Sequence, residues 1–130
     1  MKEPKWIDRR ALELLQRESL AAHGGRAGIR DEGLLESALA RPRQFWAHEA
    51  SADLARLAAA YGAGVVRNHP FVDGNKRAAF LAVGLFLGLN GHQLVVDPAE
   101  AARTVFALAA DEMGELEFAV WIRTGMKPYH

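Results

Sequence analysis

His69-Pro70-Phe71-Val72-Asp73-Gly74-Asn75-Lys76-Arg77, running without interruption into an apolar stretch over 78–89, is the segment that decides the fold. From Ala78 onward this stretch is apolar on nearly every face, and a helix of that kind belongs in the middle of a bundle. The polar loop therefore opens a buried helix, predicted over 75–89. The first N–H groups of a helix have no backbone partner and the dipole there is positive, so the loop faces an anion-binding position. Phosphate is the matching guest.

Working outward, Pro70 biases His69 away from helical ψ, so the preceding Ala- and Leu-rich helix, predicted over 52–66, ends before it. Downstream, Asn90-Gly91 stops the apolar helix and 92–96 reads as a short extended piece. Asp97-Pro98-Ala99-Glu100 then supplies an N-cap, Pro at the first helical position and Glu at the third. A fifth helix follows to about 110 and a sixth over 115–123. Upstream, Ile7, Ala11, Leu12, Leu14, Leu15 and Leu20 lie mainly on one face of a first helix, which His23-Gly24-Gly25-Arg26-Ala27-Gly28 breaks. Asp31 caps a short second helix over 32–40, closed by Arg41-Pro42. Residues 43–52 read as an irregular loop exposing Phe45, Trp46 and His48. Six helices and no convincing sheet make an all-α fold: a compact single-domain bundle over 1–130 with the helix after the loop at its centre.

Composition narrows the function classes. Half of the 130 residues are hydrophobic, and 16 basic residues balance 16 acidic ones, so no global field steers the chain to nucleic acid or anionic membrane. Absence of cysteine excludes disulfides, thiolate zinc sites and cysteine nucleophiles. The start Met1-Lys2-Glu3-Pro4-Lys5-Trp6 has no apolar signal core, and no segment approaches the ~20 apolar residues of a membrane span. The expectation is a cytoplasmic protein with no direct nucleic-acid binding. No G-x-x-x-x-G-K-[ST] occurs, which excludes a P-loop NTPase. Arg26, Arg30, Arg41 and Arg43 read as solvated surface, and the glycines at 24, 25 and 28 as a helix C-cap and turn.

Each polar residue of the loop has a chemical and a bland reading. Imidazole changes charge near neutral pH, so His69 can take a proton from a hydroxyl; a lone His would more often cap the helix end. Asp73 offers a hard oxygen of the kind magnesium uses beside phosphate, or equally an N-cap or an ion pair with Arg77. Gly74 and Asn75 suit a turn that leaves N–H groups aimed at an anion, and also any ordinary turn. Lys76 and Arg77 add positive charge at a helix end whose dipole opposes it, a small misfit that a phosphate guest would explain and a solvated pair would not. Phe71 anchors the loop in the core. Together, these neighbours favour the chemical readings.

The nine residues resemble the signature loop of the Fic/Doc family, most closely its Doc (death-on-curing) branch, the toxins of type II toxin–antitoxin modules. The run from His23 through Gly28-Ile29-Arg30-Asp31 to Leu34-Leu35-Glu36-Ser37-Ala38-Leu39-Ala40-Arg41-Pro42 is similar to the N-terminal part of Doc-like toxins, and Trp121-Ile122-Arg123 to their ending. The resemblance implies a helical fold, ATP and magnesium (Mg2+). It makes His69 the catalytic base and Asp73 the metal ligand, with Gly74, Asn75, Lys76 and Arg77 gripping nucleotide phosphates. Adenylylating Fic loops read Gly-Asn-Gly-Arg-x-x-Arg, whereas this chain has Lys76 for the second Gly and Phe80 for the second Arg. Both changes resemble Doc, which transfers the ATP γ-phosphoryl group to a Thr of elongation factor Tu and is neutralised by a small antitoxin. Pro70 and Gly74, however, are as in Fic loops. The reading is a protein Ser/Thr kinase toxin; the alternatives are a Fic-type protein adenylyltransferase and a catalytically silent helical binding module.

Overall fold

The computed structural model describes residues 1–129. Six helices follow one another: α1 (Arg9–His23), α2 (Glu32–His48), α3 (Leu54–Asn68), α4 (Asn75–Leu89), α5 (Pro98–Ala109) and α6 (Glu115–Gly125). Strand β1 (His92–Leu94) precedes α5, and β2 (Met126–Pro128) follows α6. The fold is all-α.

Aspartates start four of the helices. Asp8, Asp31, Asp53 and Asp97 each accept a backbone N–H from the first turn of α1, α2, α3 and α5, satisfying a donor that the helix leaves open. Helix α4 differs, because its N-cap is Gly74, which has no side chain to offer.

Helices α3 and α4 form the centre. Every residue from Leu57 to Val66 is buried, and α4 contributes Ala78, Ala79, Ala82, Val83, Phe86 and Leu87 to the same core. Small residues let α3 come close to its neighbours. A Cβ on Gly62 would stand 2.8 Å from the Phe118 ring and 3.2 Å from Val83, and one on Gly64 would stand 3.3 Å from the Ala38 backbone. The N-terminal segment closes one end: Trp6 stacks on Phe86, and the Tyr61 hydroxyl accepts the Ile7 N–H at 3.1 Å.

Two sequence expectations are corrected. Helix α2 does not stop at 40 but runs through Pro42 to His48, so 43–48 is helical and not an irregular loop. A mid-helix proline forfeits one backbone bond. Packing offsets that loss here: Pro42 is buried, Phe45 sits under the guanidinium groups of Arg41 and Arg56 at 5.0 and 4.1 Å, and Trp46 packs against the core. Phe45 and Trp46 are therefore partly covered and do not form an exposed aromatic surface. The second correction is a small sheet. Strands β1 and β2 pair antiparallel with His92 opposite Pro128, Gln93 opposite Lys127 and Leu94 opposite Met126.

Candidate active site

The site is the short connection between α3 and α4. Helix α3 ends on His69, whose φ of 50° and ψ of 53° are left-handed, and whose N–H still bonds the Val65 carbonyl at 3.1 Å. Glycine is the usual occupant of such a helix end. The chain then turns through Pro70 and the buried Phe71 and enters α4 at Gly74, also left-handed with φ 73°. A Cβ at Gly74 would be strained and would stand 3.0 Å from Gln16 Nε2 and 3.2 Å from Leu20, so both backbone and packing favour glycine.

Asn75 locks this loop from inside. It is 6 % exposed, and its carboxamide accepts the Phe71 N–H and donates to the Phe71 carbonyl, both at 3.0 Å. Its Nδ2 also lies 3.3 Å from His69 Nδ1. The Asn75 side chain, assigned from sequence to phosphate binding, thus faces the loop backbone and the histidine. Gly74, with no side chain, leaves the first N–H groups of α4 without a cap.

His69, Val72, Asp73, Gly74, Asn75, Lys76 and Arg77 line one open concavity of about 260 Å³. Among the sequence-assigned residues, Phe71 alone stands apart, buried in the core. Lys76 and Arg77 also border a second, mainly apolar hollow of about 390 Å³ formed with Phe80 and with α5 residues including Val105 and Phe106. The Lys76 ammonium leans that way, 5.9 Å from the centre of the Phe106 ring.

Asp73 is exposed, with Oδ2 accepting the backbone N–H of Arg26 at 2.9 Å. Its Oδ1 accepts no hydrogen bond among the described residues. No group of three or more His, Asp and Glu side chains gathers to hold a metal among them either. A cation beside Asp73 would take one protein carboxylate and fill its shell with phosphate and water oxygens, which is how magnesium is commonly held. Asp73, the uncapped α4 terminus and two cations therefore fit a magnesium-bound polyphosphate.

Sequence reasoning missed the supports. Gln16 is 2 % exposed on α1, and its Nε2 donates to the Asp73 carbonyl at 2.8 Å. The signal was present, since Gln16 falls between Leu12 and Leu20 on the buried stripe of α1, where a polar residue needs a partner. Arg26 is exposed as expected, but the other three arginines read as solvated surface are engaged. Arg30 bonds carbonyls at the end of α3, Arg41 pairs with Glu115 at 2.6 Å, and Arg43 lies 5.5 Å over the Trp6 ring. Each partner is remote in sequence, so nothing local announced it.

Comparison with known proteins gives the family. A model of the Fic/DOC family matches residues 6–87, from before α1 to the last turns of α4. The chain is also 43 % identical over 91 residues to the Toxin Doc of Mycolicibacterium smegmatis (strain ATCC 700084 / mc(2)155), an alignment covering 65 % of this chain and 70 % of that protein. With its signature loop laid between α3 and α4, the chain belongs to the Fic/DOC family, in the Doc branch of toxins.

Proposed function

We propose that the protein transfers the γ-phosphoryl group of ATP to a hydroxyl of a protein substrate, elongation factor Tu by family resemblance, and that a small antitoxin neutralises it. The observation that carries this reading is the shared concavity: one imidazole, one carboxylate, two cations and an uncapped helix N-terminus around an open space of about 260 Å³. The α4 N–H groups and Arg77 bind phosphate oxygens, and Lys76 adds charge where adenylylating relatives carry only a hydrogen. Asp73 holds magnesium, which when bound neutralises charge on the phosphates. His69 takes the proton of the attacking hydroxyl as its oxygen bonds to the γ-phosphorus. The bond from that phosphorus to the bridging oxygen breaks, and ADP leaves. Catalysis of this type rests on positioning and electrostatics more than on covalent steps.

Adenylyl transfer is the second reading, supported by Pro70 and Gly74, which match Fic loops. Parallel labelling with α- and γ-labelled ATP separates the two. The γ label should appear on protein. The α label there would replace the kinase with an adenylyltransferase, and no label with no ATP binding would leave a silent binding module.

The metal assignment has its own test. Asp73→Asn keeps the shape of the side chain and weakens the anionic ligand. Magnesium-dependent ATP affinity should fall on the order of tenfold, with little change in Tm, as titration calorimetry and thermal melts would report. Equal ATP affinity of the parent in magnesium and in chelator would remove this role from Asp73.

A further inference from the structure

Arg30 lies 39 positions from His69 in sequence, yet its guanidinium closes the end of α3. Nε donates to the His69 carbonyl at 2.7 Å and Nη2 to the Asn68 carbonyl at 2.9 Å. The Arg30 backbone N–H donates to the Pro70 carbonyl at 2.7 Å, and the Asp31 N–H joins it there at 3.1 Å. Three consecutive carbonyls, at 68, 69 and 70, are thus held by residues 30 and 31.

These carbonyls flank the residue whose backbone most needs holding. Among the described non-glycine residues only His69 and Asp111 have positive φ, a region disfavoured by any Cβ. Return of His69 to right-handed or extended geometry would swing its carbonyl off the Arg30 fork. The two charge-assisted bonds therefore oppose the relaxation that the histidine would otherwise undergo. Arg30 does not line the concavity itself.

We infer that Arg30 is a positioning residue for His69: its guanidinium clamps the peptide units around His69 in the left-handed conformation that sets the imidazole beside the α4 N-terminus. The inference rests on His69 acting as the base. It does not require Arg30 to touch substrate. Lysine is a poor replacement, because a single ammonium lacks the planar fork that spans two carbonyls.

The test compares the parent with Arg30→Lys and Arg30→Ala, using two readouts. The Cα and Cβ chemical shifts of His69 report its backbone conformation, independently of any activity. Transfer kinetics with γ-labelled ATP report its use. Arg30→Ala should lose the left-handed signature at His69 and lower kcat roughly tenfold to a hundredfold, the scale of a small misplacement of a reacting group. KM for ATP should stay within about twofold, because the phosphate-binding groups are untouched, and Arg30→Lys should recover only part of kcat. Should Arg30→Ala fail to fold, Arg30→Lys carries both readouts. Retention of the left-handed shifts without the guanidinium overturns the clamp, as does their loss with kcat unchanged. A parent that transfers no γ-phosphoryl group refutes the kinase reading alone, and the chemical shifts still decide whether Arg30 holds the turn.

Discussion

Replacing His69 with alanine should abolish transfer while leaving the protein folded. Positioned general-base catalysis contributes about 10²–10⁴-fold in rate, and among the described residues no other imidazole lines the concavity. The fold should survive for two local reasons. The side chain is exposed, and its one hydrogen-bond contact among the described residues is the 3.3 Å approach to Asn75, whose carboxamide keeps both bonds to Phe71. Alanine also carries a Cβ, so the cost of the left-handed backbone is nearly unchanged and the Arg30 bonds, made to main-chain carbonyls, persist. A stability change within about 0.5 kcal/mol is expected. Rates with γ-labelled ATP, read beside a thermal melt, check both halves. A folded variant working at the parental rate would falsify the role of His69 as base.

The loop and the helix behind it were legible because their signals are local. An apolar run, a glycine turn and cations at a helix start all lie within the same 21 residues, 69–89, and α4 spans the range that this run and its Asn90-Gly91 stop predict. Aspartate caps placed α2 and α5 for the same reason. What escaped depends on partners far along the chain. Pro42 stops a helix on local rules, but α2 continues because Phe45 and Trp46 gain more by packing than Pro42 costs. The β1–β2 pair joins residues more than 30 positions apart, and three residues per strand give almost no pattern to read. Gln16 and Arg30 belong to the site only through bonds spanning 57 and 38–39 positions, so sequence identified the chemical groups and not what fixes them.

Removing the charge of Glu115 should destabilise the whole bundle. Glu115 opens α6, where a carboxylate suits the helix dipole, and its side chain is 10 % exposed. Its Oε1 accepts from Arg41 of α2 at 2.6 Å and from Arg67 of α3 at 3.1 Å, while Oε2 accepts from Arg56 of α3 at 2.5 Å. One carboxylate thus joins three helices. Glu115→Gln leaves those arginines short of a counter-charge, with only Glu49 still paired to Arg56. Breaking a buried ion pair costs about 3–5 kcal/mol, but Arg41 and Arg67 are partly exposed and can turn to water. We expect a loss of roughly 2–3 kcal/mol, the low side of that scale. The pH dependence carries the sign. Burial raises the Glu115 pKa, but the bonds and charges of Arg41 and Arg56 outweigh it and hold the carboxyl below its ordinary value. A group depressed in this way contributes fully above its unfolded pKa, and the contribution fades as pH falls through the folded one. The stability gap between parent and Glu115→Gln should therefore be steady near neutrality and close on acidification. Equal melting of the two proteins, or a gap that widens in acid, would remove Glu115 from the centre of the network. Arg67 stands two residues before His69, so the same loss loosens the last turn of α3, and amide exchange there should rise ahead of the rest of the helix.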